Sequence, residues 1–285
     1  MKNKFLVPIL TPFNPDGSVN YDALAKLTKE VLKTGADGIY ASGSSAECFL
    51  LDEEERRKTL ETVIANADGA YVMAHIGNIG TKITRDLALH AKSVGANAVA
   101  SVPPFYFSYP FEGVKDYYKG IAECGLPTYI YSISARTQSF TIDQYEQLLS
   151  IDGVEGMKFT ETNYFAMQQI LARKDINLYS GCDECFLSAI SMGAKGAIGT
   201  TFNYMMEKYI AIYDAYSKGD MVAALAIQAK ANAVTKAAID CGGLPAFKYL
   251  ATVRYGIDCG DSRSPFTPLA SDKKKYLEKV FAENF

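Results

Sequence analysis

Histidine is almost missing from this chain: among 285 residues only His75 and His90 occur, far apart and each alone. That scarcity argues against a histidine-rich metal centre and against a Ser-His-Asp triad. Surplus charge is lacking as well. Lys and Arg total 29 against 32 Asp and Glu, a net charge of -3, and the single basic run, Lys273-Lys274-Lys275, reads as a solvated helix face. Nucleic acid as the main partner needs a basic surface that this chain does not have. No apolar stretch is long enough to cross a bilayer. The stretch Phe5 to Leu10 follows the basic Lys2 and Lys4, but it is too short for a signal peptide and runs into Thr11-Pro12, so a cytoplasmic protein is expected. The six cysteines, Cys48, Cys124, Cys182, Cys185, Cys241 and Cys259, are scattered and read as free thiols in a reducing compartment. Cys182 and Cys185 form a C-x-x-C pair, but no second Cys or His pair stands at ligand spacing, which disfavours zinc or redox chemistry.

What the chain does have is a large apolar fraction, 48%, arranged in a repeating unit. An amphipathic helical stretch is followed by a glycine turn and then a short run rich in Val, Ile, Ala and Tyr. Gly35-Ala36-Asp37-Gly38, Gly95-Ala96-Asn97-Ala98 and Gly193-Ala194-Lys195-Gly196 are copies of that turn. Glycine closes a helix there by taking the left-handed conformation. Eight strands are predicted, at Leu6–Leu10, Gly38–Ser42, Tyr71–Ile76, Ala98–Val102, Thr128–Tyr131, Gly156–Thr160, Asn177–Ser180 and Ala197–Thr200. Helical patterns alternate with them, among them Tyr21–Lys33, Glu53–Asn66 and Glu184–Met192. Eight βα units, with no Gly-x-Gly-x-x-Gly after the first strand, predict an α/β fold of the (β/α)8 TIM barrel type rather than a doubly wound sheet. The barrel is expected over residues 1–203. Residues 204–285, helical at Met205–Ser217, Met221–Asp240, Pro245–Tyr255 and Ser271–Asn284, are expected to pack on it as a C-terminal helical extension.

In such a barrel the chemistry lies at the carboxyl ends of the strands. Lys158 and Tyr131 both fall there, on consecutive predicted strands, and neighbouring strands run about 4.8 Å apart. A lysine amine withdrawn from water is favoured in its neutral, nucleophilic form, and a phenol beside it can move a proton to or from a substrate oxygen. The competing reading turns Lys158 outward to pair with Glu155 or Glu161. Ser44 and Ser45, in the turn Gly43-Ser44-Ser45-Ala46-Glu47, offer hydroxyls and backbone N–H groups suited to a carboxylate, or an ordinary helix cap.

With Gly43-Ser44-Ser45-Ala46-Glu47, Tyr131-Ser132-Ile133-Ser134-Ala135-Arg136-Thr137 and Gly156-Met157-Lys158-Phe159-Thr160 in view, nearly the whole chain resembles the pyruvate-dependent class I aldolases, the family of N-acetylneuraminate lyase and dihydrodipicolinate synthase. The resemblance implies a Schiff-base lysine at Lys158, a proton-relay tyrosine at Tyr131 and a pyruvate carboxylate on Ser44 and Ser45. It implies no metal, nucleotide or flavin, only a covalent link between Lys158 and a keto acid. Tyr179-Ser180-Gly181-Cys182-Asp183-Glu184 and Gly196 to Asn203 are more similar to the sialate-cleaving branch. They imply Gly181, Asp183, Glu184 and Thr200 as sugar contacts, with Thr160 nearby. Asp183 and Glu184 have a plainer reading too, as acids at the start of a helix. Pro104-Phe105-Tyr106-Phe107 resembles a loop whose tyrosine reaches a neighbouring subunit's site, which implies a role for Tyr106 and a homotetramer built from dimers.

Three departures from the family pattern stand out. Ala46 replaces a usual glycine, Ser132 and Ser134 stand where Asn and Pro are common, and Arg136 resembles the synthase branch, where an arginine binds a substrate carboxylate. The expected activity is cleavage of N-acetylneuraminate to pyruvate and N-acetylmannosamine. The alternatives are condensation of pyruvate with aspartate semialdehyde and cleavage of a related 2-keto-3-deoxy acid. A barrel that binds such an acid and signals without turnover is the reading from another class, though no regulatory module or basic DNA-reading helix is present.

Overall fold

The computed structural model describes residues 5–173 and 175–285; the basic residues 1–4 lie outside it. Eight strands run parallel in chain order and close on themselves. They are β1 (Phe5–Pro8), β2 (Gly38–Ala41), β3 (Tyr71–His75), β4 (Ala98–Ser101), β5 (Thr128–Ser132), β6 (Val154–Phe159), β7 (Asn177–Ser180) and β8 (Gly196–Ile198). Closure is made by β8 on β1, through Phe5 opposite Ala197 and Leu6 opposite Ile198. The outer ring is α1 (Tyr21–Lys33), α2 (Glu53–Asn66), α3 (Thr81–Ser93), α4 (Phe111–Ala122), α5 (Ile142–Leu149), α6 (Tyr164–Arg173), α7 (Phe186–Ser191) and α8 (Phe202–Ser217). Three more helices follow, α9 (Met221–Asp240), α10 (Leu244–Tyr255) and α11 (Ser271–Asn284). This is the (β/α)8 barrel with a C-terminal helical extension.

Local chemistry sets the element boundaries. Asp52 and Thr141 each start a helix with a capping box, closed by Glu55 and Gln144. Gly35, Gly95 and Gly193 end three helices at φ of +95°, +90° and +99°, the conformation the repeated turn requires. Side chains alternate along the strands. One set, including Val7, Ile39, Val99, Ile130 and Leu178, packs under the helices. The other, including Leu6, Tyr40, Met73, Tyr129, Tyr131, Tyr179 and Ile198, fills the barrel interior.

Four segments near the site differ from the sequence pattern. β1 ends at Pro8 rather than Leu10, because the Leu10 N–H donates to Asn203 Oδ1 instead of a ladder carbonyl. The helix expected from Glu184 begins as a 3-10 turn, Asp183–Cys185, and becomes α-helical only at Phe186. β8 stops at Ile198, and the Thr201 N–H beyond it is taken by the carboxylate of Asp183. α8 starts three residues before Met205, where the pattern put it, and Met205 itself carries a kink (φ -146°, ψ 39°).

Candidate active site

Lys158 and Tyr131 are direct register partners on β6 and β5. Both point into the barrel, and Lys158 is only 5% exposed. Its Nζ lies 4.4 Å from the ring centre of Tyr131 and 4.8 Å from that of Tyr40 on β2. The two rings meet edge to face, 6.2 Å apart. A cation at Nζ, whether an ammonium or an iminium, is therefore flanked by two aromatic rings, an arrangement the ring quadrupoles favour. The outward reading of Lys158 fails on this geometry. Glu155 is exposed on the opposite face of β6, and Glu161 accepts from Ser132 Oγ and from the Tyr145 hydroxyl at 3.3 Å.

The Ser44–Ala46 turn forms a 3-10 helix directly after β2. Ser44 Oγ comes within 3.5 Å of the Tyr131 hydroxyl, and Ser45 Oγ within 2.6 Å of Thr200 Oγ1. Alanine at position 46 is accommodated: it is buried, its carbonyl accepts from Thr11 Oγ1 at 2.9 Å, and the left-handed residues of this loop are Ser42 and Glu47.

These groups open into one cavity of about 640 Å³ at the carboxyl ends of the strands. Ser44, Ser45, Tyr131, Arg136, Lys158, Thr160, Gly181, Asp183, Glu184 and Thr200 all line it. Gly181 is there for space: a Cβ would stand 1.9 Å from Thr160 Oγ1 and 2.9 Å from Lys158 Cε. Arg136 lies at the exposed rim of the cavity.

Two candidates sit differently from the rest. Asp183 is buried with its carboxylate committed inward, Oδ2 accepting from Thr201 N at 2.8 Å and Thr201 Oγ1 at 2.7 Å. Burial pushes its carboxyl up to about 6, against the opposing effect of the two Thr201 bonds. These bonds tie the β7 and β8 loops together, while the Glu184 carboxylate beside it is exposed at the cavity. Tyr106 is 84% exposed at a positive φ of 79° and stands outside the cavity of its own chain.

Several other cavity residues are apolar, and no residue chemistry in the sequence separates them from core positions. Phe49, Phe105 and Ile133 form one apolar side, and Ile239, Leu244, Phe247 and Phe266 of the C-terminal helices and the following loop form another. Tyr40 was findable, since it shares the inward register of β2 with the residues filling the barrel. Behind Tyr131, His75 is buried with its ring 5.8 Å away. Its Nδ1 contacts the Ser42 carbonyl at 3.0 Å, an acceptor only, so Nδ1 carries the proton. Desolvation, reinforced by the buried Arg56 guanidinium, holds this imidazole well below its ordinary pKa and therefore neutral.

The profile of the dihydrodipicolinate synthetase family matches residues 1–284, and the chain belongs to that family. Among its curated relatives, the N-acetylneuraminate lyase of Rhizobium meliloti (strain 1021) is 36% identical over 261 residues, spanning 90% of this chain and 87% of that one. The N-acetylneuraminate lyase of Enterobacter sp. (strain 638) is 36% identical over 285 residues, spanning 97% and 94%. Among solved structures, N-acetylneuraminate lyase from Mycoplasma synoviae superposes with a TM-score of 0.92 at 27% identity, covering 99% of this chain and 98% of the other. CdNal from Clostridium difficile, solved in complex with mannosamine, reaches 0.96 at 25% identity with both chains fully covered.

Proposed function

We propose that this protein is a Schiff-base aldolase that cleaves N-acetylneuraminate reversibly to pyruvate and N-acetylmannosamine. The observation that carries the chemistry is the pairing of a buried lysine, Lys158, with Tyr131 at one end of the barrel, 4.4 Å from amine to ring centre. The choice of sugar rests on the lyases at 36% identity, over 90% and 97% of the chain.

In this reading the keto acid's carboxylate sits on the Ser44 and Ser45 hydroxyls. The Lys158 amine attacks C2, and loss of water gives an iminium flanked by the Tyr40 and Tyr131 rings. The iminium withdraws electrons from the C3–C4 bond. Tyr131, with the Ser44 hydroxyl 3.5 Å away to complete the relay, takes the proton from the C4 hydroxyl. The C3–C4 bond breaks, C4 leaves as the aldehyde of the amino sugar, and the bonding pair becomes the enamine. Protonation at C3 and addition of water release pyruvate and restore Lys158. Thr160, Thr200 and Glu184 face the hydroxylated tail of the sugar. No metal or nucleotide takes part. A cytoplasmic homotetramer completes the reading, with Tyr106 reaching a neighbouring site.

Arg136 at the rim favours a second reading, in which the aldehyde is the charged aspartate semialdehyde. Borohydride reduction followed by peptide mass spectrometry separates the two. A reduced pyruvyl adduct on Lys158 after incubation with either N-acetylneuraminate or pyruvate is the expected result. An adduct with pyruvate alone would transfer the activity to the second reading, and none in either arm would sink the covalent mechanism.

A further inference from the structure

Glu47 ends the Ser44–Ala46 turn in a left-handed conformation, φ 57° and ψ 32°, which a residue with a side chain seldom takes unless its surroundings impose it. What imposes it comes from the other end of the chain. Glu47 Oε1 pairs with Lys248 Nζ of α10 at 3.2 Å, and neither side chain has any exposure. Glu47 Oε2 accepts from the Arg263 backbone N–H at 2.8 Å. Lys248 in turn donates to the Asp261 carbonyl at 3.0 Å and lies 4.1 Å over the Phe13 ring. The Arg263 side chain reaches back to the same loop, bonding the Leu50 carbonyl at 2.8 Å and gripping both oxygens of Glu55. The segment after β2 is thus fastened by two cations that the barrel itself does not supply.

On the aldolase reading above, this segment begins with the two serines that receive the substrate carboxylate. We infer that Glu47 and Lys248 are positioning residues for that carboxylate, so that the docked C-terminal helices set the geometry of the Ser44–Ser45 cradle. Neither residue takes part in bond making. Their contribution is to hold one backbone conformation, with two oxygens of Glu47 fixed from two different elements. Because α10 also carries Leu244 and Phe247 into the cavity, the same docking event sets both the carboxylate end and the apolar wall.

The test compares the wild-type chain with Glu47→Gln, Lys248→Met and the double variant, measuring the pyruvate concentration that half-saturates the borohydride-trapped adduct on Lys158. Maximal adduct per folded molecule and thermal unfolding are recorded alongside. Half-saturation is expected to rise by about tenfold or more in each single variant, with maximal adduct per folded molecule retained. The double variant has no uncompensated buried charge, so its unfolding temperature recovers while half-saturation stays raised. A merely structural pair would lower the folded fraction without moving half-saturation. Wild-type half-saturation in the folded double variant therefore overturns the inference, even if both single variants fail to fold. Absence of an adduct on the wild-type protein would overturn the aldolase reading and this inference with it; a normal wild-type adduct with unchanged variants would overturn this inference alone.

Discussion

Lys158 and Tyr131 meet because two inward-facing positions fall opposite each other on adjacent strands, and no longer-range accident is needed. Tyr131→Phe keeps the ring that lies beside the amine and removes only the hydroxyl. Its turnover number should fall by about 100-fold or more with KM little changed, as steady-state kinetics on N-acetylneuraminate would record. An unchanged turnover number would take the proton relay away from Tyr131. Gly181→Ala tests space in place of chemistry. Its methyl would stand 1.9 Å from Thr160 Oγ1 and 2.9 Å from Lys158 Cε, so adduct formation at Lys158 per folded molecule should be lost or slowed while the circular dichroism spectrum stays near wild type and the unfolding temperature falls. Normal adduct formation in that variant would mean that the lysine has more freedom than the geometry allows.

At the scale of elements, the junction of β7, β8 and α8 is held by one carboxylate. Asp183 accepts two bonds from Thr201, and Thr201 Oγ1 also bonds the Tyr209 hydroxyl at 2.7 Å. The carboxyl of Asp183 is raised to about 6 from 3.8, so the folded state holds this proton more tightly than the unfolded chain. The sign follows by linkage: the stabilisation from the proton is complete below pH 4 and is lost as pH rises through about 6. Asp183→Asn cannot titrate there. The stability of wild type relative to Asp183→Asn should therefore improve between pH 7.5 and pH 4.5 by about 2 kcal/mol, out of roughly 3 kcal/mol at full protonation. Urea unfolding at the two pH values measures it, and a difference independent of pH would show that burial does not perturb this group.

For the whole molecule, Tyr106 is a strongly exposed residue at positive φ whose ring lies outside the cavity of its own chain. If it completes a neighbour's site, Tyr106→Phe should lower turnover, and the defect should be curable in trans. Tetramers reassembled from equal amounts of Tyr106→Phe and Lys158→Ala chains should regain about a quarter of wild-type activity, since half of the mixed dimer's sites combine an intact lysine with an intact tyrosine. Sedimentation of the unmixed protein should give a tetramer. No recovery on mixing would confine the site to one chain.

The sequence by itself determined the periodicity and which residues fall near the carboxyl ends of the strands, though not the last residue of β1 or β8. Eight alternations of a 3.6-residue and a 2-residue pattern, punctuated by Gly35, Gly95 and Gly193, suffice for a barrel, and helices such as Tyr21–Lys33, Glu53–Asn66 and Met221–Asp240 have the limits their caps and patterns indicate. Position at a strand's end likewise made Lys158, Tyr131 and the Ser44-Ser45 turn legible, because in a parallel barrel all such ends share one face. Tertiary structure decided what each polar group faces. Asp183 and Glu184 are neighbours in sequence, yet one carboxylate turns inward to Thr201 and the other remains exposed at the cavity. Glu47 and Lys248 lie 201 residues apart, and their pairing exists only once the C-terminal helices have docked on the barrel. A local pattern fixes direction and exposure along one element, whereas contacts between distant elements depend on how those elements pack, which no window of sequence contains.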